Sequence, residues 1–112
     1  MNNSLAAQLF IKRLKPLLEQ NKVFFAPRNQ KTQLFMMREG LNTDDVFNYL
    51  KKLEPSNYFD GTKDDRNGTP GNVMMFLYPY KNTGIYIKLK IWTDTNGDSG
   101  VVMSFHEEGE YD

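Results

Sequence analysis

The chain has no cysteine, one histidine and one tryptophan among its 112 residues. Nowhere does an apolar run approach the ~18 residues that a membrane-spanning helix needs. Without cysteine there is no disulfide partner, no thiol nucleophile and no thiolate-ligated zinc or iron–sulfur centre, and one histidine leaves no zinc spacing. No Gly-rich phosphate loop, dinucleotide fingerprint or Gly-x-Ser-x-Gly elbow occurs. Asp94-x-Asn96-x-Asp98 copies the opening of a calcium loop, but Ser99 stands where that loop needs Gly and Phe105 where it needs Glu. A hairpin turn explains these residues better, so no metal and no other cofactor is expected. Lys12, Arg13 and Lys15 interrupt the N-terminal stretch where a signal peptide would be apolar. The expectation is a cytoplasmic protein with no membrane partner.

What is present suits a single domain over residues 1–112, long enough to bury about two-thirds of the surface its unfolded chain exposes. The formal net charge is zero, but it is unevenly spread. Residues 1–53 carry nine basic side chains against four acidic ones, and residues 54–112 carry five against ten. Four of those ten acids lie in the tail 107–112, which reads as a solvated end. Phosphate affinity comes from unscreened Lys and Arg, so a neutral chain argues against an extended nucleic-acid scaffold while leaving room for a small basic site.

Ser4 is a candidate N-cap for a helix with Leu5, Leu9, Leu14, Leu17 and Leu18 along one stripe, and Pro16 predicts a kink or restart within it. Val23-Phe24-Phe25-Ala26, stopped by Pro27, reads as a short edge strand. A helix over 31–39 stops at Gly40, and a second begins with Thr43 as cap before Asp44 and Asp45, burying Val46, Phe47, Leu50 and Leu53. Residues 60–71 contain no apolar side chain and read as a flexible surface loop. Val73–Tyr78, Ile85–Trp92 and Val101–His106 then form three strands joined by hairpin loops. The predicted fold is α+β: a small antiparallel sheet, made of this C-terminal meander and the N-terminal edge strand, with helices packed on one face.

The period of two in the middle strand puts Ile85, Ile87, Leu89 and Ile91 in the core and Tyr86, Lys88, Lys90 and Trp92 opposite. In the last strand Val101, Met103 and Phe105 are expected inward and Val102, Ser104 and His106 on the face shared with Tyr86 and Lys88. Singly, outward lysines on a strand are solvated surface. Together, two lysines, a tyrosine and the only histidine suit phosphoryl transfer: Lys stabilises a phosphorane, while His and Tyr move protons to and from the ribose 2′-hydroxyl and the leaving 5′-oxygen. That chemistry is RNA cleavage without a metal. The rival reading is a non-catalytic α+β protein of phage or mobile-element origin that holds a partner through Phe24, Phe25, Phe35, Met36 and Met37 or through the acidic tail.

Leu50-x-x-Leu53-x-x-Ser56-x-Tyr58-Phe59, Leu77-Tyr78-Pro79 leading to Gly84-Ile85-Tyr86-Ile87-Lys88, and Val101-Val102-Met103-Ser104-Phe105-His106-Glu107 follow Lys22-Val23-Phe24-Phe25 in order. In these words, which span most of residues 10–108, the chain resembles the MqsR family of toxins from bacterial toxin–antitoxin pairs, which share the RelE-like ribonuclease fold. The resemblance implies a metal-independent endoribonuclease, an mRNA interferase whose partners are messenger RNA and a cognate antitoxin. Tyr86 and Lys88 stand on the family's Tyr-x-Lys strand, with Tyr86 at the tyrosine regarded as catalytic. His106 stands where the founding member has a lysine and is the third expected catalytic residue. The family's lysine after the Ser-x-Phe-Tyr word falls near Asp60, so Lys63 and Arg66, with Lys90, are the expected RNA-binding side chains, and the family's strand glutamine falls near Met74.

Overall fold

The computed structural model describes residues 2–26, 29–63 and 72–109. Helix α1 spans Asn2–Glu19, strand β1 Val23–Phe25, α2 Gln30–Glu39, α3 Thr43–Lys51, a 3₁₀ turn η1 Pro55–Asn57, then β2 Tyr58–Lys63, β3 Asn72–Tyr80, β4 Thr83–Asp94 and β5 Gly97–Glu107. The strands form one five-stranded sheet in the order β1-β5-β4-β3-β2. All neighbours are antiparallel except β1, which runs parallel to β5. The fold is α+β, and its sheet is mixed and one strand larger than the predicted meander plus edge strand. No described helix is long and apolar enough to cross a membrane.

One face of the sheet carries the core. Ile85, Ile87, Leu89 and Ile91 of β4 pack with Met74 and Phe76 of β3 and with Phe10, Leu14, Phe35, Val46 and Leu50 from the three helices. In α1 the buried positions are Ala7, Phe10, Ile11, Leu14, Leu17 and Leu18, whereas Leu5 and Leu9 are exposed. The expected leucine stripe is thus half right, because the i, i+3, i+4 sets that include Ala7, Phe10 and Ile11 bury more continuously. Pro16 sits inside α1 without ending it, and the helix begins ahead of Ser4. Gln20 N still bonds Pro16 O at 3.0 Å, so the turn after the proline closes normally.

Local caps explain the next two helices. Asn29 caps α2, and Gly40 ends it at φ 69°, a backbone angle that glycine alone adopts freely. Asn42, not Thr43, caps α3: its side chain accepts from Asp45 N at 2.8 Å while Asp45 accepts from Asn42 N at 2.9 Å, a reciprocal capping box.

Strand β2 was not legible as a strand. Its register against β3 slips twice, between Tyr58 and Asp60 and between Gly61 and Lys63, so no alternation marks it. Residues 60–63, expected within a surface loop, are therefore edge strand, and the rest of that loop, 64–71, lies outside the described residues. At the other end, Glu107 closes β5 and binds Arg38 Nη2 at 2.9 Å, so the acidic tail begins one residue later than expected. Its last three residues lie outside the described set.

Candidate active site

The face of the sheet turned away from the helical core gathers the predicted chemistry. Tyr86 pairs with His106 and Lys88 with Ser104 across β4–β5, as strand alternation requires. Beyond them the expected pattern breaks. The register shifts between Lys88 and Leu89, leaving Met103 as the extra residue, so Leu89 opposes Val102 and Lys90 opposes Val101. Val102 consequently joins the core, and Val101, expected inward, lies instead on the face of its partner Lys90. A bulge of one residue inverts every inward–outward assignment beyond it.

Asn29 secures that bulge. Its Oδ1 caps α2 by accepting from Thr32 N at 3.0 Å, while its Nδ2 donates to Met103 O and lies 3.2 Å from Ser104 Oγ. Thr32 Oγ1 accepts from Phe105 N at 2.9 Å. Strand β1 ends opposite Val102, so the N-terminus of α2 supplies the partners that β5 lacks further along.

His106 is 1% exposed, with its ring centroid 5.3 Å from that of Tyr86. Its Nδ1 lies 3.1 Å from Glu107 O. A carbonyl oxygen only accepts, so Nδ1 is the donor in this contact, and the tautomer with its proton on Nδ1 has the lone pair on Nε2. Nε2 is buried and has no hydrogen-bond partner among the described residues. Leaving such a group unpaired costs about 1–3 kcal/mol, which makes it exceptional in a folded chain.

The remaining predicted residues divide by accessibility. Tyr86 and Lys88 are partly exposed. Lys90, expected on an open face, is only 6% exposed. Val73, which pairs with both Lys90 and Lys63, puts those two lysines on one register line across the sheet. Asp60 shares the line of Met75 and Lys88 in the same way, and Arg66 lies outside the described residues. Phe59, which sequence reasoning left without a role, packs edge-on against Tyr86 at 6.2 Å between centroids. The pairing of β2 with β3 brings it there, and the irregular register of β2 leaves no local pattern that announces the strand.

The calcium-like segment is the turn of the β4–β5 hairpin. Asp94 accepts from Asn96 N at 2.8 Å, and Asp98 meets Arg13 at 3.3 Å and also binds Thr93. These bonds, Thr93 first, hold the Asp98 carboxyl below its ordinary range. The chain matches no family model, no curated protein and no solved structure, so its function is argued from these residues.

Proposed function

We propose that this protein is a metal-independent endoribonuclease, the mRNA-cleaving toxin of a type II toxin–antitoxin pair, acting in the cytoplasm and restrained by a cognate antitoxin. The observation that carries the reading is the enclosed Nε2 of His106, without a hydrogen-bond partner among the described residues, beside Tyr86 and near Lys88. A buried ring nitrogen without a partner among the described residues calls for an explanation, and in this reading a substrate hydroxyl is the partner.

In this mechanism Nε2 takes the proton of a ribose 2′-hydroxyl, and the 2′-oxygen attacks the adjacent phosphorus. The Lys88 ammonium neutralises charge that develops on the non-bridging oxygens. As the bond from phosphorus to the 5′-oxygen breaks, the Tyr86 hydroxyl protonates that oxygen, and the proton on His106 restores the tyrosine. The products are a 2′,3′-cyclic phosphate and a 5′-hydroxyl. Tyr86, the partly exposed ring beside His106, turns aside to admit the ribose. Enclosed Lys90 contributes positive potential, and Lys63 and Arg66 hold the RNA backbone.

The enclosure of His106 and Lys90 also favours a second reading, a non-catalytic protein whose exposed Phe24, Leu34 and Met37 hold a partner. One assay separates them: purified protein on mixed RNA in EDTA, with Lys88→Ala and His106→Leu alongside. Cleavage lost in both variants supports the nuclease. Inert but folded wild type, both on free RNA and with ribosomes, removes it in favour of the partner-binding reading. Growth arrest on expression, relieved by Lys88→Ala, is the corresponding expectation for a toxin.

A further inference from the structure

On the helical side of the sheet, an open cleft of about 660 Å³ lies between the end of α1, the end of α3, η1 and the end of β3. Its walls present Lys15, Lys51 and Lys52 against one acid, Glu54, and it includes Tyr78 and Pro79. Neither Lys15 nor Lys51 makes an ion pair among the described residues. Lys52 Nζ sits 5.6 Å from the centre of the Tyr49 ring, which meets Tyr78 edge-on at 5.7 Å. The C-terminus of α3 adds about half a negative charge, which still leaves the cleft positive by more than one charge.

We propose that this cleft is a subsite for single-stranded RNA, with backbone phosphates on Lys15, Lys51 and Lys52 and a base against Tyr78 and Pro79. Cations beside an aromatic ring in an open groove are the requirements of single-strand binding, whereas an acidic peptide would use the lysines and leave the ring idle. The choice of RNA rests on the reading of the protein as a ribonuclease. Connectivity joins the two places. Asn57 lines the cleft, and Phe59, two residues on, packs against Tyr86 on the opposite face. A strand crossing the β2 edge of the sheet therefore reaches from the cleft to the reacting phosphate, and Phe59 stands at the crossing.

The test is fluorescence anisotropy with a mixed-sequence 2′-O-methyl oligoribonucleotide, which lacks the attacking hydroxyl and so cannot be cut. Combining Lys15→Gln with Lys51→Gln removes two phosphate contacts. It is expected to weaken binding roughly 20-fold at about 0.1 M salt and to lower the slope of log K against log salt by about 1.4. Lys22→Gln removes a charge beside the distant β4–β5 turn, where Lys22 Nζ lies 3.4 Å from Asn96 O, and is expected to do much less. Equal affinity and slope in wild type and double variant would overturn the proposal, as would polyglutamate displacing the oligonucleotide as well as RNA does. Cleft-dependent binding by a protein that never cleaves RNA leaves the subsite standing and removes the nuclease. Cleavage that needs His106, with binding indifferent to the cleft lysines, does the reverse.

Discussion

His106 and Tyr86 face each other directly across β4 and β5, rings 5.3 Å apart, and the histidine's Nε2 is enclosed there without a partner among the described residues. A polar nitrogen in that position weakens the fold.

Stability and activity should accordingly part company at this residue. His106→Leu keeps a similar volume and removes the unpaired nitrogen. It is expected to raise unfolding free energy on the order of 1 kcal/mol in urea titrations while abolishing RNA cleavage. A variant that is both less stable and fully active would sink the assignment.

Lys88 is partly exposed and lies two residues from Tyr86, so its removal should act on the chemical step. Lys88→Ala is expected to lower cleavage about 100-fold or more, and Tyr86→Phe about 100-fold, with melting temperatures near that of wild type. Single-turnover rates on a defined RNA give the comparison.

Glu39 links α2 to the β3–β4 turn. Its Oε1 accepts from Lys81 Nζ and from Tyr80 OH, each at 2.8 Å, and Arg38 Nε lies 3.2 Å from Oε2. These partners, Lys81 first, lower its pKa from 4.5 to about 2. A depressed carboxyl pKa means the linkage is complete above 4.5 and is lost as pH falls through about 2. The melting-temperature difference between wild type and Glu39→Gln is expected to be constant from pH 5 to 7, to shrink below pH 4.5, and to vanish near pH 2. For Lys81 the bond to Glu39 raises the pKa, so its contribution is present at neutral pH and fades only as pH rises past the ordinary lysine range.

Asn29 holds both the α2 cap and the β5 bulge, and two substitutions separate these duties. Asn29→Ala is expected to cost about 1–2 kcal/mol from the cap alone, with more from the lost donor to Met103 O. Asn29→Asp keeps an oxygen for Thr32 N but offers Met103 O no donor. Urea midpoints should therefore rank wild type, then Asp, then Ala.

Much of this protein is determined by periodicity and end signals that lie within a few residues of one another. The alternation from Ile85 to Trp92 separates the core face from the face of Tyr86 and Lys88 because successive side chains leave a strand on opposite faces. Gly40 ends α2 for a local reason as well: its backbone angle is strained in other residues. The pairing of Tyr86 with His106 was legible from two strands of the same hairpin.

Tertiary structure decided the rest. Strand β2 exists because the bulged segment from Tyr58 to Lys63 finds the edge of β3, which no local pattern encodes. The bulge at Met103, fixed by Asn29 from 74 residues away, sends Val102 into the core and Val101 out of it. Burial of His106 and Lys90, and the meeting of Lys15 with Lys51 and Lys52, likewise depend on elements distant in the chain. Spacing dictates which way a side chain points along its own strand or helix, but only packing of the whole chain determines what it meets there.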